Sequence, residues 1–174
     1  MTMFDETLAG FQLGDSETIL RLGSLEQFQR AAVLMLSQTK RQLHMVTPDL
    51  EPERFNNHDF VDALSAFARR SQYTETRILV GDPSIAIRWG HQLVALSRRL
   101  PTLIRIRQLH KDDYKSAESW IVADDIGLIR RDGMDGYLGL LSAKSIPQAQ
   151  RNNRLFTELW ERAHEVAEFR ELHL

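Results

Sequence analysis

Residues 76–83 of the chain read TRILVGDP, and this stretch decides the fold class. The segment TRILVG has the length and the apolar content of a buried strand. Asp82 and Pro83 follow at once and are typical of a helix start, with Asp82 as the capping residue and Pro83 in the first turn. A strand that leads straight into a helix is the repeating unit of a parallel sheet with helical crossovers. The stretch therefore favours an α/β fold.

The sequence on the N-terminal side shows the same alternation of strand and helix. The predicted elements are a short strand within 17–23, a helix from 25 to about 40, a strand over 42–47 and a helix after the polar turn at 51–57. Ser24 and Gln27 form a capping box for the first helix, and Pro48 ends the second strand. Residues 1–16 have no clear hydrophobic period and are predicted to form an extended N-terminal arm.

The predicted elements on the C-terminal side lie closer together. They are a helix with Trp89, Leu93, Leu96 and Leu100 on one face that ends at Pro101, strands over 103–109, 119–124, 127–131 and 137–142, and a last helix after Pro147. The segments between the last three strands are too short for crossovers, so these strands pair antiparallel. The chain is therefore predicted to form a mixed, mainly parallel β-sheet flanked by helices on both faces.

The composition is that of an ordinary globular domain. The chain has 174 residues, of which 43% are hydrophobic and 26% charged, and a single domain over residues 1–174 is predicted because no linker or repeat is visible. No apolar run approaches the ~18 residues that span a bilayer. Residues 1–10 lack the basic and apolar regions of a signal peptide, which favours a cytoplasmic location. The formal net charge of −2 gives no global attraction to nucleic acids, and the absence of cysteine excludes thiol chemistry and disulfides.

Four strings, taken in order, resemble one half of the phospholipase D-like superfamily. They are LHMVTPDL at 43–50, TRILVGD at 76–82, SAESWIVADD at 116–125 and LFTELWERA at 155–163. The resemblance implies the α/β fold and metal-free phosphodiester chemistry, in which one His attacks phosphorus, a second His protonates the leaving oxygen and Lys holds the phosphoryl oxygens. Active members combine two such motifs, so a half-sized chain is expected to form a homodimer.

The motif that carries this chemistry is degenerate in the present chain. If Asp124 is the aspartate of the H-x-K-x-x-x-x-D motif, the lysine position falls on Ser119 and the histidine position on Ala117. The Gly-Ser-x-Asn segment of the family would fall near residues 128–132, which read LIRRD. The resemblance therefore implies a non-catalytic domain that acts through dimerisation and through binding of a phosphate-containing ligand or a protein. The ligand could be a nucleic acid or a phosphorylated small molecule.

A set of basic residues is the candidate anion site. Its members are Arg105, Arg107, Lys115, Arg130 and Arg131. Arg105 and Arg107 share one face of a predicted strand, and arginine suits phosphate geometry well. If the strands that carry these residues are neighbours, an inactive phosphodiester pocket could still bind an anion. The alternative is that the arginines pair with Glu118, Asp124, Asp125 and Asp132 at the surface, where ion pairs contribute little.

The other candidate residues show weaker patterns. The acidic pairs Asp112–Asp113 and Asp124–Asp125, with His44, have no spacing typical of a metal site, so neither a metal nor another cofactor is predicted. The string His110-Lys111-Asp112 lacks the spacer of the motif and is predicted to be a surface turn. Trp89, Trp120 and Trp160 are predicted to be core or interface residues.

Two other functions remain open at this point. One is a phosphodiesterase or nuclease with relocated catalytic residues, in which His44, His91 or His110 would act. The other is a structural partner domain whose dimer surface is its function.

Overall fold

The structure is a computed structural model that describes residues 1–114, 118–133 and 137–170. The helices are α1 Met3–Ala9, α2 Leu25–Gln38, α3 Pro52–Phe55, α4 His58–Arg69, α5 Ser84–Trp89, α6 Gln92–Arg99, α7 Lys111–Tyr114, α8 Ile146–Arg162 and α9 Ala167–Arg170. The strands are β1 Ile19–Leu22, β2 Gln42–Thr47, β3 Glu75–Val80, β4 Ile104–Gln108, β5 Trp120–Ala123, β6 Gly127–Arg131, β7 Gly139–Ser142 and β8 His164–Glu165. The strands predicted over 42–47 and within 76–81 form the central strands β2 and β3.

The strands form one mixed sheet in the order β1-β7-β6-β5-β2-β3-β4-β8. β2, β3 and β4 run parallel, and the neighbours on both sides pair antiparallel. The predicted α/β fold with a mixed sheet is confirmed. The parallel part is smaller than expected, because the first strand, β1, pairs antiparallel with β7 and does not join β2, β3 and β4.

Helices cover both faces of the sheet, as predicted. On one face α1, α2, α4 and α6 pack their apolar sides on the sheet, and Phe28 and Phe67 are fully buried there. On the other face α8 places Phe156 and Trp160 on β2 and β5. We call these the α2 face and the α8 face. None of the helices in the described ranges combines the length and the apolar character that crossing a bilayer requires.

The prediction of an extended N-terminal arm over residues 1–16 is wrong. Residues 3–9 form α1, whose Thr2–Asp5 capping box satisfies the first backbone N–H groups. Phe4 and Leu8 lie on one side of this helix and are buried with Phe11 against the α2 face. Two helical turns are too short to show a clear period in the sequence, and the packing of these apolar residues determines the helix.

The helix predicted from Pro83 to Leu100 is interrupted. Gly90 has φ +77°, and His91 then caps α6 by accepting the N–H of Leu93. Trp89 consequently ends α5 with 78% of its surface exposed, so it is not a core residue. Trp120 and Trp160 are buried as predicted.

Candidate functional site

The candidate site lies at the edge of the sheet where β2 and β6 end and β5 begins. Thr47 is the last residue of β2, Arg131 the last of β6, and Ser119 immediately precedes β5. The antiparallel pairing of β5 with both neighbours brings these three positions together, and the N–H of Arg131 donates to the carbonyl of Ser119 at 3.0 Å. Alternation along each strand turns the three side chains toward the α2 face.

A buried carboxylate, that of Glu51, lies among these side chains. Its Oε2 accepts hydrogen bonds from the hydroxyls of Ser119 at 2.5 Å and Thr47 at 2.9 Å. Its Oε1 lies 2.9 Å from Nη1 of Arg131 and 3.3 Å from Nη1 of Arg54. Only 4% of the Glu51 side chain is exposed. We call these five residues the Glu51 cluster.

The backbone that carries Glu51 has an unusual conformation. Leu50 has φ +68° and Glu51 has φ +35°, so two consecutive non-glycine residues lie in the left-handed region. Such residues cost on the order of 1 kcal/mol each and persist where surrounding contacts determine the conformation. Here the left-handed conformation is held by the fully buried Leu50 side chain and by the four contacts of the Glu51 carboxylate.

Arg54 is held over two aromatic rings. Its guanidinium carbon lies 4.9 Å from the ring centre of Phe28 and 5.6 Å from that of Tyr137. Burial lowers the pKa of Arg54, and the Glu51 carboxylate opposes that shift. The Tyr137 hydroxyl donates to Glu53 at 3.1 Å, and this hydrogen bond raises the pKa of Tyr137.

The Glu51 cluster has the ingredients of an anion site, and its anion is a side chain of the protein itself. Two arginines and two hydroxyls surround one carboxylate, an arrangement that would also suit a phosphoryl group. Ser119 is 3% exposed, so its Oγ is not accessible to an external phosphorus atom in this conformation, although its hydroxyl donates to a carboxylate.

Asp124, the presumed remnant of the motif, has a structural role at the other end of β5. Its carboxylate accepts the backbone N–H groups of Lys40, Arg41 and Gln42 at 2.7, 2.7 and 3.1 Å. Asp124 and Asp125 have φ +54° and +60° and form the two central residues of a tight β5–β6 turn. Asp124 thus fixes the start of β2 and does not contact the Glu51 cluster.

None of the hydrogen bonds or ion pairs in the described ranges joins a histidine of the alternative hypothesis to the Glu51 carboxylate. His44 is buried on the α8 face, where its Nδ1 is 2.9 Å from Oδ1 of Asn153 and its ring stacks on Phe156. His91 Nε2 lies 3.0 Å from the carbonyl of Leu50, and burial lowers the pKa of His91. His110 precedes α7, with its Nδ1 3.6 Å from Asp112.

The predicted basic set does not form one cluster. The arginines of β4 and those of β6 are separated by β5, β2 and β3, which is about 19 Å across the sheet. Arg130 and Arg131 point to opposite faces, where Arg130 pairs with Asp132 at 2.7 Å and Arg131 with Glu51. Arg107 donates to the carbonyl of Trp160, and Arg105 is exposed. Lys115 and Ala117 lie outside the described residues. No group of three or more residues with metal-binding side chains occurs within the ranges that the structure describes.

Sequence reasoning pointed to Ser119 and Arg131 and missed the centre of the cluster. Glu51 and Arg54 were placed in a polar turn, and Thr47 at a strand end. Their partners lie 68 and 80 residues away from Glu51 along the chain, so no local pattern marks them. The one usable signal was the departure from the motif at Ser119.

Solved structures similar to this chain include two small proteins of the phospholipase D group. Nuc from Salmonella typhimurium, a phospholipase D family member, has a TM-score of 0.63 at 10% identity, with 86% of this chain and 97% of that chain covered. NucT from Helicobacter pylori has a TM-score of 0.63 at 11% identity, with 86% and 98% covered. The chain therefore has a phospholipase D-like fold, which the sequence resemblance implied.

A third similar structure is that of TrmBL2, an archaeal chromatin protein described with a novel mode of DNA binding. The TM-score is 0.64 at 15% identity, and the match covers 86% of this chain and 54% of TrmBL2, about half its length. No curated protein matches the sequence. The chain belongs to the family described as a domain of unknown function (DUF7931), whose model matches residues 24–172.

Proposed function

We propose that this chain is a single, non-catalytic phospholipase D-like domain that acts as a homodimer by binding a phosphate-containing ligand or a protein. The observation that carries the proposal is the hydrogen bond from Ser119 to Glu51, at the position where the resemblance requires a lysine. A neutral, buried hydroxyl cannot replace the positive charge that holds the phosphoryl oxygens.

The charge of Glu51 supports the same conclusion. Arg54 and Arg131 are cations at this edge of the sheet, and both already contact the carboxylate. A phosphate brought to about 4 Å from an unprotonated carboxylate is repelled by about 4 kcal/mol at an effective dielectric constant near 20. A substrate phosphate therefore competes poorly with Glu51.

The proposed homodimer is supported by an exposed apolar surface near this edge. Ile85 and Trp89 of α5 are 42% and 78% exposed and share one face of the helix, being four residues apart. α5 follows the carboxyl end of β3, and His91 just after it contacts the carbonyl of Leu50. A second copy seated there would place two Glu51 clusters on the same side of the assembly, in the arrangement that the family resemblance implies.

Two measurements test the proposal. Hydrolysis of bis(p-nitrophenyl) phosphate by the purified chain, with and without divalent metal, should not exceed the buffer rate. Turnover that survives purification to homogeneity would refute the non-catalytic assignment. His44→Ala, His91→Ala and His110→Ala would then show whether a relocated histidine is responsible.

The dimer is tested by light scattering. We expect about twice the chain mass of 20.1 kDa, and a shift toward that chain mass in Trp89→Ser. Tyr73→Ser is the matched control, since Tyr73 is 75% exposed and precedes β3 at the opposite edge of the sheet. A monomeric wild-type chain would overturn the homodimer. The DNA binding described for TrmBL2 makes short DNA duplexes the first nucleic-acid ligand to test.

A further inference from the structure

We propose that a groove beside β4 binds an organic phosphate of nucleotide size. The groove lies between α6, β4, β8 and α9 and has a volume of about 630 Å³. It is distant from the Glu51 cluster and does not use its residues. The inference gives the binding role proposed above a surface and a ligand class, and it rests on that role.

The wall of the groove carries an excess of positive charge. Arg98, Arg105, Arg107 and Arg170 line it, and Glu165 is the carboxylate among the lining residues. Arg170 pairs with Glu165, which is also the cross-strand register partner of Arg107, so the four arginines exceed the one carboxylate of this wall by three charges. The whole chain has a formal charge of −2, so this local excess of positive charge runs against the average.

Two of these arginines are held in place by neutral groups. Arg98 donates to the carbonyls of Phe169 at 2.6 Å and Glu168 at 2.9 Å. Arg107 donates to the carbonyl of Trp160 at 3.0 Å, and its guanidinium carbon lies 4.4 Å from the centre of the Trp160 ring. Such contacts fix a guanidinium without neutralising it. The arginine side chains would therefore lose less conformational entropy when a ligand binds.

Arg105 stands in an electrostatically unfavourable position. It is the direct register partner of Arg77 in the parallel β3–β4 pair, and like charges on neighbouring strands destabilise a sheet. Arg77 is compensated by Glu75, with 2.7 Å between Nε and Oε1. For Arg105 there is no ion pair within the described part of the chain. An anion bound in the groove would supply the missing negative charge.

The floor of the groove indicates what else the ligand contains. Ile104, Ile106, Val166 and Phe169 also line it; Ile106 is partly buried and the other three are at most 6% exposed, so the exposed apolar surface is mainly that of Ile106. A volume of this size is typical of small-molecule sites, and inorganic phosphate would leave most of it empty. A ligand with a flat apolar part and at least two negative charges matches both features, which is the chemistry of a nucleoside diphosphate.

The test uses the full chain and ADP carrying a fluorescent N-methylanthraniloyl group, with binding followed by anisotropy. We expect saturable binding that weakens as salt is added. Arg105→Ala should lower the affinity by about 10-fold, because a charge-assisted hydrogen bond to phosphate contributes about 1.4 kcal/mol or more. Adenosine and inorganic phosphate should each compete poorly, since each lacks one half of the ligand.

Arg21→Ala is the matched control, because Arg21 is also exposed and lies on β1 at the other end of the sheet. Equal weakening of probe binding in both variants, or no effect of Arg105→Ala, would show that the probe binds elsewhere. Either result would refute the groove as the binding site, but the chain would still have a binding function. Absence of binding at millimolar probe would also overturn it. The hydrolysis measurement would still test the non-catalytic assignment, and light scattering would still test the homodimer.

Discussion

The Ser119 hydroxyl donates a 2.5 Å hydrogen bond to Oε2 of Glu51, across 68 positions of sequence. Both residues are buried, and the same carboxylate contacts two arginines. A buried carboxylate is tolerated only where donors and opposite charges compensate for its lost hydration. The Glu51 cluster is therefore one energetic unit, and changes in its members should not be additive.

Removing the Ser119 hydroxyl should destabilise the chain moderately. Ser119→Ala leaves Oε2 of Glu51 with the Thr47 donor alone, and we expect a loss of about 1–3 kcal/mol in the free energy of unfolding, measured with urea. Ser37→Ala is the control, since Ser37 is exposed, and its change should stay within about 0.5 kcal/mol. Equal effects of the two substitutions would contradict the energetic role of the hydrogen bond.

Replacing Glu51 should have a larger effect and create a response to phosphate. Glu51→Ala leaves Arg54 and Arg131 buried without their carboxylate, for which we expect a loss of about 3–5 kcal/mol. Inorganic phosphate should restore part of this stability by filling the vacated position, and it should add less to the wild type. Denaturation midpoints in phosphate and in a zwitterionic buffer at equal ionic strength measure the difference. The prediction fails if phosphate stabilises both proteins alike.

Loss of the Asp124 carboxylate should be costly although the residue is far from the Glu51 cluster. Asp124→Ala removes the acceptor of three backbone N–H groups, and the expected loss is about 2–4 kcal/mol in the free energy of unfolding. Asp124→Asn keeps one acceptor oxygen and tolerates the positive φ, so it should lose less. Asp62→Ala, at an exposed position of α4, should be nearly neutral. A neutral Asp124→Ala would show that the loop before β2 is held by other contacts.

His91 should make the fold sensitive to mild acid. Burial lowers its pKa below the usual 6.5, so the unfolded chain binds a proton that the folded chain does not. Stability should therefore fall as the pH decreases below about 6.5, until the lower folded pKa is reached. His91→Asn keeps a capping side chain and removes the titration, so its melting temperature should vary less over this range. His58→Asn is the control at an exposed histidine and should retain the wild-type slope.

Much of the fold could be predicted because clear stop signals, Pro48 and the Gly81-Asp82-Pro83 segment, follow its two central strands. β2 has the predicted bounds, and β3 differs by one residue at each end. The break at Gly90 was missed because the apolar spacing continues across it, and α1 because packing rather than length determines it. The extent of parallel pairing was overestimated because the order of strands in a sheet depends on contacts that no single segment contains.

The only part of the candidate site that the sequence indicated through the family motif was Ser119, which occupies the lysine position of that motif. The resemblance located Ser119, and nothing near Glu51 in the sequence distinguishes it from a glutamate in a polar turn. Its role depends on Arg131 and Ser119, which the order of strands brings to the same edge. The sequence grouped Arg105 and Arg107 with Lys115, Arg130 and Arg131 as an anion site. In the structure the basic residues that line the groove with them are Arg98 of α6 and Arg170 of α9, so the proposed anion site has other members.

The turn at Asp124 and Asp125 has a consequence for how the sheet aligns as the chain folds. The turn joins β5 to β6 locally, whereas the Asp124 carboxylate reaches residues 40–42 at the start of β2, 82 to 84 positions earlier. It thereby fixes the alignment of β5 against β2 at one end. A slip of one residue would turn every β5 side chain to the opposite face and carry Ser119 away from Glu51. Asp124 thus helps to hold Ser119 beside Glu51 by fixing how β5 aligns against β2.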